Sequence, residues 1–138
     1  LDRIDVSMMI GLPKVEQREE LLGLYLNKHV MSMVKRENNS QSWFSKKKNF
    51  IVEKECTTNE TMKAIAEKID GFSGREISKL MISVRYKLTM NPKLTLTLDM
   101  MNQVVRGKLL EHEQKSEFRI LAIDFLSIEI FVFGSLPP

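Results

Sequence analysis

The sequence predicts a mostly α fold, four helices following one short N-terminal strand. Three observations predict it. Apolar residues recur at three- and four-residue steps in four separate stretches, the period of a helix face. Those stretches are bounded by residues that start or stop helices, among them Pro13, Ser73 with Glu76, Asn91 before Pro92, and Thr97. Residues 4–12 (IDVSMMIGL) instead form a short apolar run closed by Pro13, which suits a buried strand whose exit is a residue that cannot donate in a ladder.

After that strand, Val15, Leu21, Leu22, Tyr25, Leu26 and Val30 share one helical face, with Pro13 and Glu16 near the start, where proline and acid are favourable. Residues 32–49 turn polar without a sustained period and read as an exposed loop. Residues 50–53 suit a short extended piece. Thr58 or Asn59 can then cap a helix with Met62, Ile65, Ala66 and Ile69 inside, ended by Gly71. Ser73-Gly74-Arg75-Glu76 is a capping box: serine and glutamate each satisfy a free backbone N–H of the other's residue. Ile77, Leu80, Met81, Val84 and Leu88 follow on the inner face, until Asn91-Pro92 removes a donor and disfavours helical geometry. LTLTL alternates briefly. Thr97 is a plausible cap for a last helix to about Ser116, with Leu98, Met101, Val104, Val105, Leu109 and His112 on its inner side.

With 43% apolar and 28% charged residues, the 138-residue chain has the balance of one folded domain. Its net charge of +3, from 21 basic and 18 acidic residues, is spread along the chain except at Lys46, Lys47 and Lys48, so no nucleic-acid contact is expected. Cys56 stands alone, which excludes an internal disulfide, fits a reducing compartment and gives no ground for reactivity. The run from Ile120 to Phe133 is broken by Asp124 and Glu129 and is shorter than the ~20 residues a spanning helix needs. The tail from residue 118 alternates apolar residues in the manner of an aggregation-prone strand.

The tight junction Gly71-Phe72-Ser73-Gly74-Arg75-Glu76 is the richest constellation. A helix N-terminus with free N–H groups, two glycines permitting close approach and an arginine in the first turn could receive a phosphate or nucleotide. Arginine opposes the helix dipole there, which invites a functional explanation, although surface arginines in such places are common. His29, His112 and Cys56 lack metal-ligand spacing, so no metal site is expected, and no Ser-His-Asp or Cys-His set can be assembled. The methionines, such as Met62, Met81 and Met101, read as gap fillers of a core. Trp43 and Phe44 read either as a docking anchor or as an aromatic pair tucking the loop onto the body. There is no GxxxxGK[ST] phosphate loop in the sequence.

DRID at residues 2–5, LP at 12–13, REELLGLYLNKH at 18–29, GFSGREISKLMISV at 71–84 and LLEHEQK at 109–115 together resemble the C-terminal part of the mitochondrial ATPase family called AAA domain-containing protein 3. GFSG followed by a helix is general to AAA proteins, whereas GREI is more particular to this family. The resemblance implies the end of an AAA+ α/β core at residues 1–13, a four-helix C-terminal lid at 14–117 and an atypical apolar tail at 118–138. It implies that Arg3 is an arginine finger reaching the ATP of a neighbouring subunit, with a plain strand-edge arginine as the alternative. Tyr25 would line the adenosine. Gly74 and Arg75 would form the sensor-2 turn, Arg75 either touching phosphate or bracing the lid against the core.

The resemblance further implies a homo-oligomeric ring, mitochondrial localisation with a role in mitochondrial organisation, and room for membrane contact by the full-length protein. ATP is the implied cofactor, its Mg2+ held by Walker loops upstream of Leu1, so no independent activity is expected of this chain. The start at Leu1 rather than Met and a tail unlike the family's polar C-terminus lead us to expect a truncated or misread gene product. The competing expectation is a non-enzymatic helical interaction module using Trp43, Phe44 and the Lys46 to Lys48 cluster on an acidic or membrane partner.

Overall fold

The structure, a computed structural model, describes residues 11–40 and 48–134, with side chains as far as residue 127. Its elements are α1 (Val15–Tyr25), a π-helical segment (Leu26–Met31), α2 (Ser32–Asn39), β1 (Ile51–Val52), a 3-10 turn (Lys54–Thr57), α3 (Asn59–Lys68), α4 (Gly74–Met90), β2 (Thr95–Leu96) and α5 (Leu98–Gly134). Because α1, the π segment and α2 run on without a break, the described residues form four helical rods, matching the mostly α expectation. Residues 1–10, which hold Arg3 and most of the N-terminal strand expected at 4–12, lie outside the described residues.

Local chemistry sets most boundaries. The Thr58 hydroxyl accepts from the Thr61 N–H at 3.2 Å and starts α3, while Thr97 Oγ1 accepts from the Met100 N–H at 3.3 Å in the first turn of α5. A second device serves α5: Glu53 Oε2 accepts from the Leu98 N–H at 3.2 Å, putting a carboxylate on a donor that the helix cannot satisfy itself. Asn91 caps the C-terminal end of α4, and its side chain folds forward to donate to the Thr95 carbonyl at 2.6 Å. The two short strands pair in parallel, Ile51 opposite Thr95 and Val52 opposite Leu96. That clasp fastens the start of α5 to the segment before α3. Leu94 takes a left-handed φ of 51°, uncommon for a branched side chain, and is held there as its carbonyl accepts from Ile51 and its N–H donates to Asn91.

The first rod packs on α3 and α4, and α4 lies between it and α5. Leu22, Leu26 and Val30 meet Met62, Ile65 and Ile69 of the α3 region and Ile77, Leu80, Met81, Val84 and Leu88 of α4; Met101 and Val105 complete the core from α5. Each fully buried aliphatic side chain of this size contributes about 1.5–3 kcal/mol, which is why a helix of ordinary propensity is held so firmly here.

Two stretches depart from expectation. Ser32–Asn39 is helical rather than part of a loop, because Met33, 8% exposed, continues the inward stripe of Leu22, Leu26 and Val30. Its polar neighbours Lys35, Arg36 and Asn39 lie on the outer, exposed side. Asn38 then closes the ends of the following connection, accepting from the Phe50 N–H at 2.8 Å and donating to the Phe50 carbonyl at 2.9 Å. Trp43, Phe44, Lys46 and Lys47 lie outside the described residues; Lys48 is exposed.

The second departure is α5, which passes Ser116 and continues to Gly134 as helix instead of giving way to an alternating strand. No glycine or proline interrupts residues 108–133, and extending an existing helix needs no new nucleus. Phe118, Ile120, Leu121, Ile123, Phe125 and Leu126 of this extension are all exposed. Among the described residues no helix is long and apolar enough to cross a membrane.

Candidate functional site

The α3–α4 junction is built as its sequence predicts. The Ser73 N–H donates to Glu76 Oε2 at 2.9 Å, the Ser73 hydroxyl donates to the same oxygen at 2.8 Å, and the Glu76 N–H reaches the Ser73 hydroxyl at 3.4 Å. Gly71 has a φ of 80°, and a Cβ there would also stand 3.3 Å from His112 Nε2, so two independent constraints call for glycine. Gly74 differs: a Cβ would meet only Leu21 Cδ1, at an ordinary 3.9 Å, so packing within the chain does not require glycine at that position.

Gly74 faces an open groove of about 830 Å³ between the N-terminus of α4 and the turn leading into α1. Leu12, Pro13, Leu21 and Leu24 give the groove apolar walls, and Lys14, Gln17 and Glu20 add polar edges. The first N–H groups of α4 have no intrahelical acceptor and carry the positive end of the helix dipole. Arg75, the next residue, is exposed. Tyr25 is not among the lining residues. It stacks on His29, ring centroids 5.7 Å apart, and His29 Nε2 lies 3.1 Å from the Ser78 hydroxyl. Ser78 sits one turn beyond Gly74 on the same face of α4, so the structure brings Tyr25 beside the junction without putting it in the groove. Burial, with Lys28 and Arg85 nearby, holds the His29 pKa below the ordinary imidazole value.

Sequence reasoning missed two residues that shape this site. Arg18 is 5% exposed and ties the groove's rim to the body: Nη1 donates to the Pro13 carbonyl at 3.0 Å, Nε donates to the Ala66 carbonyl at 2.9 Å, and Nη1 pairs with Asp70 at 2.8 Å. The available signal was its phase, since Val15, Arg18 and Leu22 fall on one helical stripe. The sequence marks His112 only as an inner-face residue of the last helix. Its Nδ1 donates to Glu76 Oε1 at 2.9 Å, and its ring centroid lies 4.7 Å from that of Phe72. Burial works to raise the Glu76 pKa, but the Ser73 N–H, His112 and the Ser73 hydroxyl outweigh it and bring the carboxyl down to about 2. Among the described residues no group of histidine, cysteine and acidic side chains could hold a metal ion. Cys56 is buried, and desolvation together with Glu53 and Glu55 pushes its thiol up to about 11.

The comparison that bears on this arrangement is with curated sequences. The chain is 32% identical over 117 residues to ATPase family AAA domain-containing protein 3 of Caenorhabditis elegans, and 30% identical over 117 residues to the Bos taurus protein of that name. The chain is homologous to AAA domain-containing protein 3. A third such relative, ATPase family AAA domain-containing protein 3-B of Xenopus laevis, is 31% identical over the same length. In each case the match takes in 85% of this chain but only 18% of the relative, so the chain spans less than a fifth of the AAA domain-containing protein 3 relatives it matches. No protein-family model matches the chain, and no solved structure matches it.

Proposed function

We propose that this chain is the C-terminal lid portion of an AAA+ ATPase, closing over ATP in a full-length homo-oligomer and carrying nucleotide state to the rest of the assembly through rigid-body motion. The observation that carries the proposal is the groove between the Leu12-Pro13 turn and Gly74, in a chain homologous to ATPase family AAA domain-containing protein 3. Its volume lies within the about 300–1,000 Å³ usual for small-molecule sites. Its apolar walls suit the faces of a purine, and the first N–H groups of α4 that the capping box leaves over, with the exposed Arg75 beside them, suit phosphate oxygens.

Within that reading Gly74 leaves the approach to the α4 N-terminus open and Arg75 supplies an exposed positive charge at its edge. ATP would bring a γ-phosphoryl group whose transfer spreads negative charge over its oxygens; Mg2+ and the phosphate-gripping loops belong to upstream segments of the full-length protein. Tyr25 acts indirectly, by backing His29 against Ser78 on α4. Arg3 is proposed as the arginine finger acting on a neighbouring subunit, and mitochondrial localisation with a role in mitochondrial organisation is part of the same proposal.

The test is ATP turnover by the full-length protein, parent against Arg75→Ala, at matched assembly. The expected loss is about tenfold or more, in line with removing one charge from a phosphoryl-transfer site. Unchanged turnover would reduce the Ser73 to Glu76 turn to helix capping.

A further inference from the structure

We infer that His112 is a positioning residue for the Ser73-Gly74-Arg75 turn, setting from α5 how that turn faces the groove. The inference rests on the reading of the groove as a nucleotide site. A capping box occupies only one oxygen of its glutamate: Glu76 Oε2 receives both the N–H and the hydroxyl of Ser73. The other oxygen, Oε1, is held from outside the helix by His112 Nδ1 at 2.9 Å. The same imidazole lies 4.7 Å from the Phe72 ring, and its Nε2 stands where a Cβ on Gly71 would come within 3.3 Å. One side chain of α5 thus faces the space beside Gly71 and meets Phe72 and Glu76, and Glu76 in turn fixes Ser73, whose next neighbour Gly74 lines the groove.

The contact lies at the edge of the fold rather than in its core. The side chains of His112 and Glu76 are 27% and 28% exposed, while α4 is anchored independently by Ile77, Leu80, Met81, Val84 and Leu88, and α5 by Met101 and Val105. Losing the contact therefore leaves both helices docked and releases only the turn. Around it, Lys108 and Lys115 both bind Glu111, at 2.6 and 2.7 Å, so those lysines are engaged with a carboxylate of their own helix.

The experiment measures kcat and KM for ATP, and binding of a fluorescent adenine nucleotide, in the full-length protein as parent, His112→Leu, His112→Asn, His112→Phe and Arg75→Ala. Asparagine carries its Nδ2 donor as many bonds from the backbone as histidine carries Nδ1, so it keeps the bond to Glu76 that leucine abolishes. His112→Leu is expected to raise KM and weaken nucleotide binding about fivefold with kcat less affected, and His112→Asn to recover to within about twofold of the parent. His112→Phe keeps an aromatic ring against Phe72 and leaves the capping box intact, but has no donor for Glu76. It carries the same expectation as His112→Leu and supplies the test if that variant fails to assemble.

If His112→Leu and His112→Phe leave KM and binding unchanged while Arg75→Ala impairs turnover, the positioning role is overturned and the nucleotide reading stands. If Arg75→Ala is silent as well, the nucleotide reading fails and the positioning role fails with it.

Discussion

Replacing Arg18 by methionine keeps most of the aliphatic stem but removes every donor that reaches from α1 to the rim of the groove and the end of α3. Three contacts are lost, and their environments differ. The Ala66 carbonyl is buried and has no solvent to replace the 2.9 Å bond, so leaving it unpaired costs about 1–3 kcal/mol. The Pro13 carbonyl is only partly buried, so water can take the place of the 3.0 Å bond at little cost. Asp70 is 85% exposed, and its ion pair, though 2.8 Å long, is worth about 1 kcal/mol or less after screening. The expected destabilisation is about 1–4 kcal/mol, a sizeable part of what holds a domain of this size together. Urea denaturation with the midpoint and slope fitted separately measures it, and Asp70→Asn serves as the control, expected to cost at most about 1 kcal/mol. An Arg18→Met midpoint matching the parent, or an Asp70→Asn loss as large as that of Arg18→Met, would refute the reasoning, the second outcome by giving the anchoring to the surface ion pair.

Gly71→Ala forces a Cβ into a φ of 80° and against His112, and is expected to cost about 1–3 kcal/mol in thermal or urea unfolding, whereas Gly74→Ala, with only an ordinary contact to Leu21, should cost about 1 kcal/mol or less. The Glu76 carboxyl has a folded pKa of about 2 against 4.5 for the free side chain, so its contribution to stability is complete above pH 4.5 and is lost as the pH falls toward 2. On the order of 3 kcal/mol is at stake, and unfolding curves of parent and Glu76→Gln taken at pH 6 and near pH 2 should converge at the acid end; a constant gap would contradict the assignment. Cys56, fully buried with its pKa raised to about 11, should resist iodoacetamide at neutral pH in the folded protein and react once urea unfolds it, as mass spectrometry can count. Rapid alkylation of the native chain would mean that the β1–α3 segment opens.

What was legible in the sequence is what local chemistry decides. Thr58, Ser73 with Glu76, and Thr97 mark helix starts because a side chain satisfies a backbone group within four residues of it, and Asn91-Pro92 marks a helix stop because proline cannot donate; both relations are written in the spacing. The inner faces of α3 and α4 were legible for the same reason, their apolar residues being many and evenly phased. Ser32–Asn39 hid its helix because Met33 is its one buried residue, too little to show a period. The far half of α5 gave no sign of its length, since its exposed side chains include apolar residues all around the helix rather than one inward stripe. The candidate site divides likewise. Gly74 and Arg75 stood out through their turn, but Arg18 bonds to a carbonyl 48 residues away and His112 to a carboxylate 36 residues away, partnerships that only the packing of the rods creates.

The π segment at Leu26–Met31 has a consequence for chain length. Its bonds run from residue i back to i−5, as the Ser32 N–H does to Asn27, with the Ser32 hydroxyl on the same carbonyl at 2.7 Å. One turn of the rod therefore stores one residue more than an α-helix needs. Deleting a residue here can be absorbed by tightening that turn, leaving Leu22 upstream and Met33 downstream facing the same core. The middle of this helix, and not only the loops that join the rods, is thus a place where related chains can differ by a single residue while keeping the fold.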